Sequence, residues 1–543
     1  MHGPSDTPAR IGRIAVLLLL LPSLLWVFTD RHVWPWDQSW YGEVSADLWS
    51  TAVRDGLAGW GRLMLHAVAS KPPAVVWIGQ LFAPLNGLLG WEPALLLSIL
   101  ATQAACLALL CASLVRLLEP RGPAGWAAVG AGVLTMAASP LFVGMTHQYF
   151  AEPVQLLSVC LFLWVAVNRG GMGRLRLIAW LSLATALGLA AKTTSPVYVF
   201  GFGLVALAGL VRRPPARRSE HPAATGLLLV AAAGMTALTA SWYVVNAEHS
   251  LRHAFQSATG SVALHYGTVG DFSTKLVFWL GSLKAALLLP DAVAAALLAA
   301  LVVLALLAWR MLRGRSAATP DLEPSVPLVI AALAQIAVVL TAFSLNINEE
   351  SRFLLPLFPS VALLVAVAVA ATGRPAVPAA VAGFLALQWG IVHAMALGWL
   401  PLHAGNPWLQ ARVTDGTRLS VVERLAEATC PSSEAGRINL IGTEQPWLNA
   451  NTLSFLSARG RAAVGWRCYY ISLGYAQTDV DSAWKRLADM NINRIVMLDS
   501  DLERQGDFLN QTNIPVRRRL EADTAFQSQP FDEGMTLFLR KGS

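Results

Sequence analysis

The chain has 543 residues, 55% of them hydrophobic and only 13% charged, with a mean hydropathy of +0.52. A soluble chain would carry roughly 25% charged residues, so a polytopic membrane protein is expected and a soluble globular class is excluded. The net charge of +7 does not point to nucleic acid, because the arginines stand between apolar segments, where they orient spans.

The first apolar run, Ile14 to Thr29, follows Arg10 and Arg13 in the manner of a signal peptide. No small-residue cleavage site follows it, and Trp34 and Trp36 read as an interfacial anchor. It is expected to stay as the first span. With about 20 apolar residues per crossing, spans are expected near 14–33, 92–115, 124–146, 150–167, 177–193, 196–211, 223–246, 285–309, 326–345, 353–372 and 377–399, about eleven in all. The stretch 177–211 is divided into a hairpin by Lys192-Thr193-Thr194-Ser195-Pro196 and flanked by arginines at both ends.

Charge sets the orientation. With the N-terminus inside, the inner connections carry Arg116, Arg121, Arg169, Arg174, Arg176, Arg212, Arg213, Arg217, Arg218, Arg310, Arg313, Arg315 and Arg374, as the positive-inside rule requires. The loops 34–91 and 247–284 and the region 400–543 then lie outside. Pieces 40–56 and 73–89 of the first loop read as helices along the membrane surface. The second loop contains His253, His265, Tyr266, Asp271 and Lys275.

The expected fold class is a polytopic α-helical membrane protein, residues 1–400, followed by a soluble α/β domain, 401–543. In the latter, 437–441, 494–498 and 535–539 read as strands. Helices are expected near 447–458 and ending at 483–490. No phosphate-binding glycine loop or nucleophile motif occurs there. Cys106, Cys111 and Cys160 lie in apolar runs. Cys430 and Cys468 lie in the polar C-terminal region, as a disulfide if that region meets an oxidising compartment, or as two separate thiols.

This topology puts Asp37, Glu43, Asp47, Lys71, His147, Glu152, Lys192, His265, Glu349, Glu350 and Arg352 at the outer ends of spans. Asp37-Gln38-Ser39-Trp40-Tyr41-Gly42-Glu43, directly after the first span, resembles the first outside loop of the GT-C membrane glycosyltransferases. The similar branch is that of protein O-mannosyltransferases and lipid A aminoarabinose transferases (glycosyltransferase family 39-like). Lys71-Pro72-Pro73, Leu187-Gly188-Leu189-Ala190-Ala191-Lys192 and Glu349-Glu350-Ser351-Arg352-Phe353-Leu354-Leu355-Pro356 resemble three further motifs of that family, in order, over roughly 10–400. Two positions depart from it: Gln38 replaces a frequent second acid, and Ser70 replaces a glutamate that in some members helps to hold a metal.

The resemblance implies a GT-C fold and an inverting hexosyl- or pentosyltransferase of a bacterial inner membrane, with its C-terminal domain periplasmic. It would move a sugar from a polyprenyl-phosphate donor to a lipid-linked glycan, lipid A or protein acceptor. The leaving phosphate needs fixed cations, a task that suits Lys71, Arg352 and Lys192. The acceptor hydroxyl or amine loses a proton as it attacks, and Asp37 is the expected base. Glu152, Tyr41, Glu43, His147, His265 and Glu349 are expected to bind substrate or support the site. No cofactor is required by these residues, and a divalent metal stays an open alternative.

Plainer readings exist for each residue. Asp37 could cap the next helix, Lys71 could snorkel, Arg352 could pair with Glu349 or Glu350, and Glu152 could be a helix-start acid. A transporter or flippase of polyprenyl-linked or other lipids is the rival from another class, although such proteins place charges at mid-membrane between repeats.

Overall fold

The computed structural model describes residues 7–29, 32–211, 222–260, 263–313, 322–401, 416–431, 438–459, 468–474, 477–490, 492–499 and 511–541. In chain order the helices are α1 (Thr7–Thr29), α2 (Trp36–His66), α3 (Ala74–Gly79), α4 (Asn86–Leu89), α5 (Trp91–Leu118), α6 (Gly122–Ala137), α7 (Pro140–Gly144) and α8 (Glu152–Asn168). They continue as α9 (Arg174–Ala191), α10 (Ser195–Val211), α11 (Pro222–Ala258), α12 (Phe272–Leu287), α13 (Val293–Arg313), α14 (Val326–Ser344), α15 (Phe358–Ala371) and α16 (Ala376–Ala396). A helix lies at each expected span. Among the described residues seven helices are long and apolar enough to cross a membrane, or eight if the bent pair Gly122–Ala137 and Pro140–His147 is one span. Leu18–Thr29 and Ser195–Val211 are shorter apolar helices.

The C-terminal part adds α17 (Gly416–Thr429), β1 (Ile438–Ile441), α18 (Ala450–Arg459), β2 (Tyr469–Ser472), α19 (Val480–Asp489), β3 (Arg494–Leu498), α20 (Asn513–Ala522), β4 (Phe526–Phe531) and β5 (Met535–Arg540). The chain forms two compact units: one of Met1–Thr29, Val68–Val75 and Leu96–Arg412, the other of Asp30–Ala67, Val76–Leu95 and Val413–Ser543. This division differs from a cut at residue 400, because most of the first loop folds with the C-terminal region.

In the first unit, proline and capping chemistry sets the breaks. Ser139 is extended, as a residue before proline must be. Its hydroxyl accepts the Phe142 N–H at 3.1 Å, and Pro140 opens α7. The chain bends by 55° there. Lys192 is likewise extended and ends α9, and α10 starts three residues on with Pro196 in its first turn. The expected hairpin over 177–211 is therefore present.

The long second loop is less loop than expected, since α11 runs on to Ala258 and α12 fills Phe272–Leu287. Hydropathy falls at Glu248, His249, Arg252 and His253, but helix propensity does not, and Glu248 pairs with Arg252 one turn on. Asp271 then caps α12, its carboxylate accepting the Thr274 N–H at 2.9 Å.

In the second unit, five strands run in the order β2-β1-β3-β5-β4, with β2, β1 and β3 parallel and β5 antiparallel to both β3 and β4. Successive strand residues face opposite sides. Accordingly Ile441 and Val496 join a core with Val421, Leu425 and Leu453, while Leu440 and Ile495 join another with Leu487, Val516 and Leu520. A disulfide links Cys430 to Cys468, with Cα atoms 5.9 Å apart.

Candidate functional site

Three charged side chains from distant parts of the sequence meet in the membrane unit, and each sits where a helix starts or stops. Glu152 is the first residue of α8, where the helix dipole favours an acid, and Pro153 follows it. Lys192 stands at the C-terminal end of α9, where the dipole favours a cation, and its backbone N–H closes onto the Gly188 carbonyl at 2.9 Å. Arg352 lies in the 3-10 turn Ser351–Leu357 that leads into α15.

Glu152 Oε1 accepts from Lys192 Nζ at 2.8 Å and lies 3.2 Å from Arg352 Nε. The Glu152 side chain is 3% exposed, Lys192 21% and Arg352 18%. A carboxylate so buried is tolerated only when paired, and here one carboxylate gathers two cations. Glu350 takes a further Arg352 nitrogen at 2.5 Å. Aromatic faces complete the surroundings: Lys192 Nζ lies 3.5 Å from the Phe353 ring centre, and the Arg352 guanidinium 4.3 Å from that of Phe150. The Tyr198 hydroxyl holds the Phe353 carbonyl.

Helix α8 is fastened below this cluster. Gln155 Nε2 donates to Thr194 Oγ1 at 3.1 Å and to Ser195 Oγ at 3.2 Å, and Ser158 donates to the Ala184 carbonyl at 2.8 Å. The glycine of the 187–192 motif has a packing reason: a Cβ at Gly188 would stand 2.6 Å from Ser158 Oγ. Only hydrogen fits there, so α9 can bring Lys192 to the start of α8.

Other expected residues are placed elsewhere. Glu349 pairs with the buried Lys275 at 3.0 Å and accepts the Thr268 N–H at 3.0 Å, while Lys275 also donates to the Ile347 carbonyl at 2.8 Å. It thus fastens residues 267–275 to the segment before Arg352. His147 is buried with its ring 3.7 Å from Trp26, which packs with Val143, Leu289 and Val392. His265 lies in the turn Ala263–His265, and its side chain is outside the described residues. Lys71 is half-buried; its N–H bonds to the carbonyl of Val68 at 2.9 Å.

Asp37, Tyr41 and Glu43 lie on α2 in the second unit. Asp37 is not the helix cap: Pro35 holds that position without a side-chain bond, and Asp37 is in the first turn. At about 100° per residue, Tyr41 lies about 40° around the helix from Asp37, while Glu43 is about 120° away. Tyr41 is buried and Glu43 half-buried. Among the described residues, non-glycine positive φ occurs at Trp36 (26°), Val68 (52°) and Glu119 (42°). Two of these three precede Asp37 and Lys71. Such strain in a β-branched or aromatic residue persists only where the surroundings over-determine it, as they do at functional sites.

Phe150, Phe353 and Glu350 complete the cluster without having been singled out for binding. Phe353 sits inside the 349–356 motif, so its neighbourhood was legible, whereas Phe150 carries no signal beyond being two residues before Glu152. Among the described residues no group of three or more His, Cys, Asp or Glu side chains is gathered as for a metal ion, and Glu152 is already held by two cations. The cluster does not fit a metal site.

No protein-family model and no curated protein sequence matches the chain. Solved structures do. ArnT from Cupriavidus metallidurans bound to undecaprenyl phosphate is similar over 99% of both chains, with TM-score 0.54 and 12% identity. The apo form of that protein gives 0.51 and 12% over 98% of both. Arabinofuranosyltransferase AftD from Mycobacteria gives 0.52 and 14% over all of this chain and 40% of its own. The fold is that of the GT-C glycosyltransferases. In this GT-C fold the multi-pass helical region and the C-terminal sheet are both accounted for.

Proposed function

We propose that the protein is a membrane glycosyltransferase that moves a pentose or hexose from a polyprenyl-phosphate donor to a lipid-linked, lipid A or protein acceptor at the periplasmic face of a bacterial inner membrane. The observation that carries this reading is the buried Glu152–Lys192–Arg352 cluster, cations fixed in place beside aromatic faces at the helix ends. The undecaprenyl phosphate bound by a structurally similar protein supports the donor class.

In this reading Lys192, Arg352 and Lys71 stabilise the charge that grows on the leaving phosphate. The acceptor oxygen or nitrogen attacks the anomeric carbon from the face opposite the phosphate. Its proton passes to Asp37, the bond from the anomeric carbon to the phosphate oxygen breaks, and the lipid phosphate departs with inversion. Glu152 holds two of the cations, and Glu349 fastens the segment before Arg352. The disulfide Cys430–Cys468 supports an oxidising compartment for the C-terminal unit. The charges of the cluster stand at helix ends, which argues against a transporter.

The test uses full-length protein with undecaprenyl-phosphoryl arabinose and undecaprenyl-phosphoryl mannose as donors and a cell-envelope extract as acceptor source. Asp37→Asn is expected to lower the release of undecaprenyl phosphate roughly 100- to 10,000-fold while still binding undecaprenyl phosphate. Full turnover by this variant would remove Asp37 as the base.

A further inference from the structure

We infer that the C-terminal α/β domain acts as the positioning device for Asp37, holding the start of α2 through Glu444, Thr452 and Phe455. The inference rests on Asp37 being the base. All of these residues belong to the same compact unit.

The start of α2 lacks a capping side chain. Its N-cap is Pro35, which offers no side-chain acceptor to the first turn. Trp36, directly before Asp37, has a φ of 26°, a conformation that L residues rarely adopt. Four holds from the C-terminal domain add to the backbone bonds that Gln38 and Ser39 make to the Pro35 carbonyl. Glu444 Oε2 accepts the Trp36 indole N–H at 3.0 Å. Thr452 Oγ1 donates to the Trp34 carbonyl at 2.8 Å, which also accepts from Ser39 Oγ at 2.5 Å. The Trp34 ring stacks on Phe455, with centres 5.0 Å apart and planes 15° apart. The same Phe455 ring presses on α2 at Gly42, where a Cβ would meet it at 2.9 Å.

Thr452 and Phe455 are three residues apart on α18, hence on one face. They grip the chain on both sides of Asp37, at Trp34 and Gly42, while Glu444 grips the residue beside it. Gln38, Ser39, Tyr41, Gly42 and Ser45 form the buried stripe of α2. Asp37, half-buried, lies at the edge of that stripe. A domain without a nucleophile or phosphate loop therefore has a task in catalysis: it sets where one carboxylate stands.

The experiment compares full-length Thr452→Val and Glu444→Ala with the conservative Thr452→Ser and Glu444→Gln, which keep the hydroxyl and an acceptor oxygen. Hydrogen exchange over residues 36–45 reads the grip. Release of undecaprenyl phosphate from undecaprenyl-phosphoryl arabinose or mannose reads kcat and KM. The first pair is expected to exchange about tenfold faster and to lose roughly 10- to 100-fold in kcat, with donor KM within about twofold, because a displacement near 1 Å has effects of that size. The second pair is expected to behave as wild type below pH 7, where the Glu444 carboxyl is itself neutral. Unchanged exchange in the first pair, or faster exchange with unchanged kcat, overturns the positioning role. Failure of the base assignment is separate: it shows as turnover by Asp37→Asn, whatever the exchange rates of the other variants.

Discussion

In the membrane unit Glu152 is 3% exposed between Lys192 and Arg352, whereas in the C-terminal unit Asp481 and Arg519 meet at 2.6 Å with 81% and 43% of their side chains exposed. The residue types and distances are alike, and burial is what differs. In water the attraction of such a pair is nearly cancelled by hydration and screening. Out of water, desolvation and attraction are both large, so loss of one partner leaves an uncompensated charge. A cluster of the first kind has to be built by the fold, and three helix ends converge to build it. A pair of the second kind forms wherever long side chains meet.

The largest expected effect is therefore at Glu152. Glu152→Gln keeps the shape and removes the charge, leaving Lys192 without its carboxylate and Arg352 with Glu350 alone. Unfolding in detergent should show a loss of about 3–5 kcal/mol, together with loss of transfer. A change under about 1 kcal/mol would put this cluster in the same class as the surface pair and break the comparison.

The C-terminal unit draws stability from a covalent link instead. Cys430 and Cys468 are 38 residues apart and join the end of α17 to the start of β2. Replacing both by serine should destabilise this unit by about 2–4 kcal/mol, chiefly by enlarging the unfolded ensemble. Proteolysis of residues 416–541 against denaturant reads the loss. Reducing agent should weaken the wild-type unit and leave the double variant unchanged.

Glu444 is a buried acid of the second unit. Burial pushes its carboxyl up to about 7 from an ordinary 4.5, and the bonds from Trp36 and Ser472 only partly oppose this. Between about pH 4.5 and 7 the folded protein keeps a proton that the unfolded chain has released. Stability should then be greatest below this window and fall as pH rises through it. Glu444→Gln should flatten that slope and be the more stable protein above pH 7. An unchanged slope in Glu444→Gln would show that another group titrates there.

Much of this was readable from residues alone, for physical reasons. Spans follow from hydropathy, and the hairpin at 192–196 follows from a polar break before proline. The motifs at 187–192 and 349–356 carry charges that a membrane tolerates only in company, and Glu152 stands at the outer start of a span, so Glu152, Lys192 and Arg352 could be named as candidates. Their meeting at one oxygen could not, since pairing over 40 and 200 residues is a property of packing. Strands β1, β3 and β5 are buried and apolar. By contrast β4, Phe526–Phe531, is an exposed edge strand containing Pro530, which reads as loop. Helix α20 buries Asn513, Val516 and Leu520 amid charged residues, too thin a stripe to stand out. Gln155 and Phe150 gave no sign of their place.

The smallest effect is expected at the exposed pair, and it tests the comparison from the other end. Arg519 joins α20 to α19 through Asp481, and its guanidinium also lies 5.9 Å from the Trp484 ring. Arg519→Ala removes both contacts, so the single variant overstates the ion pair. A double-mutant cycle with Asp481→Ala isolates it. The coupling should be about 0.2–1 kcal/mol, and most of it should vanish near 1 M salt, where the screening length is about 3 Å. A coupling that survives such salt would mean that this pair is shielded from water despite its exposure. Burial would then no longer separate charges held for chemistry from charges that merely meet, and the assignment of Glu152, Lys192 and Arg352 would have to rest on their helix ends alone.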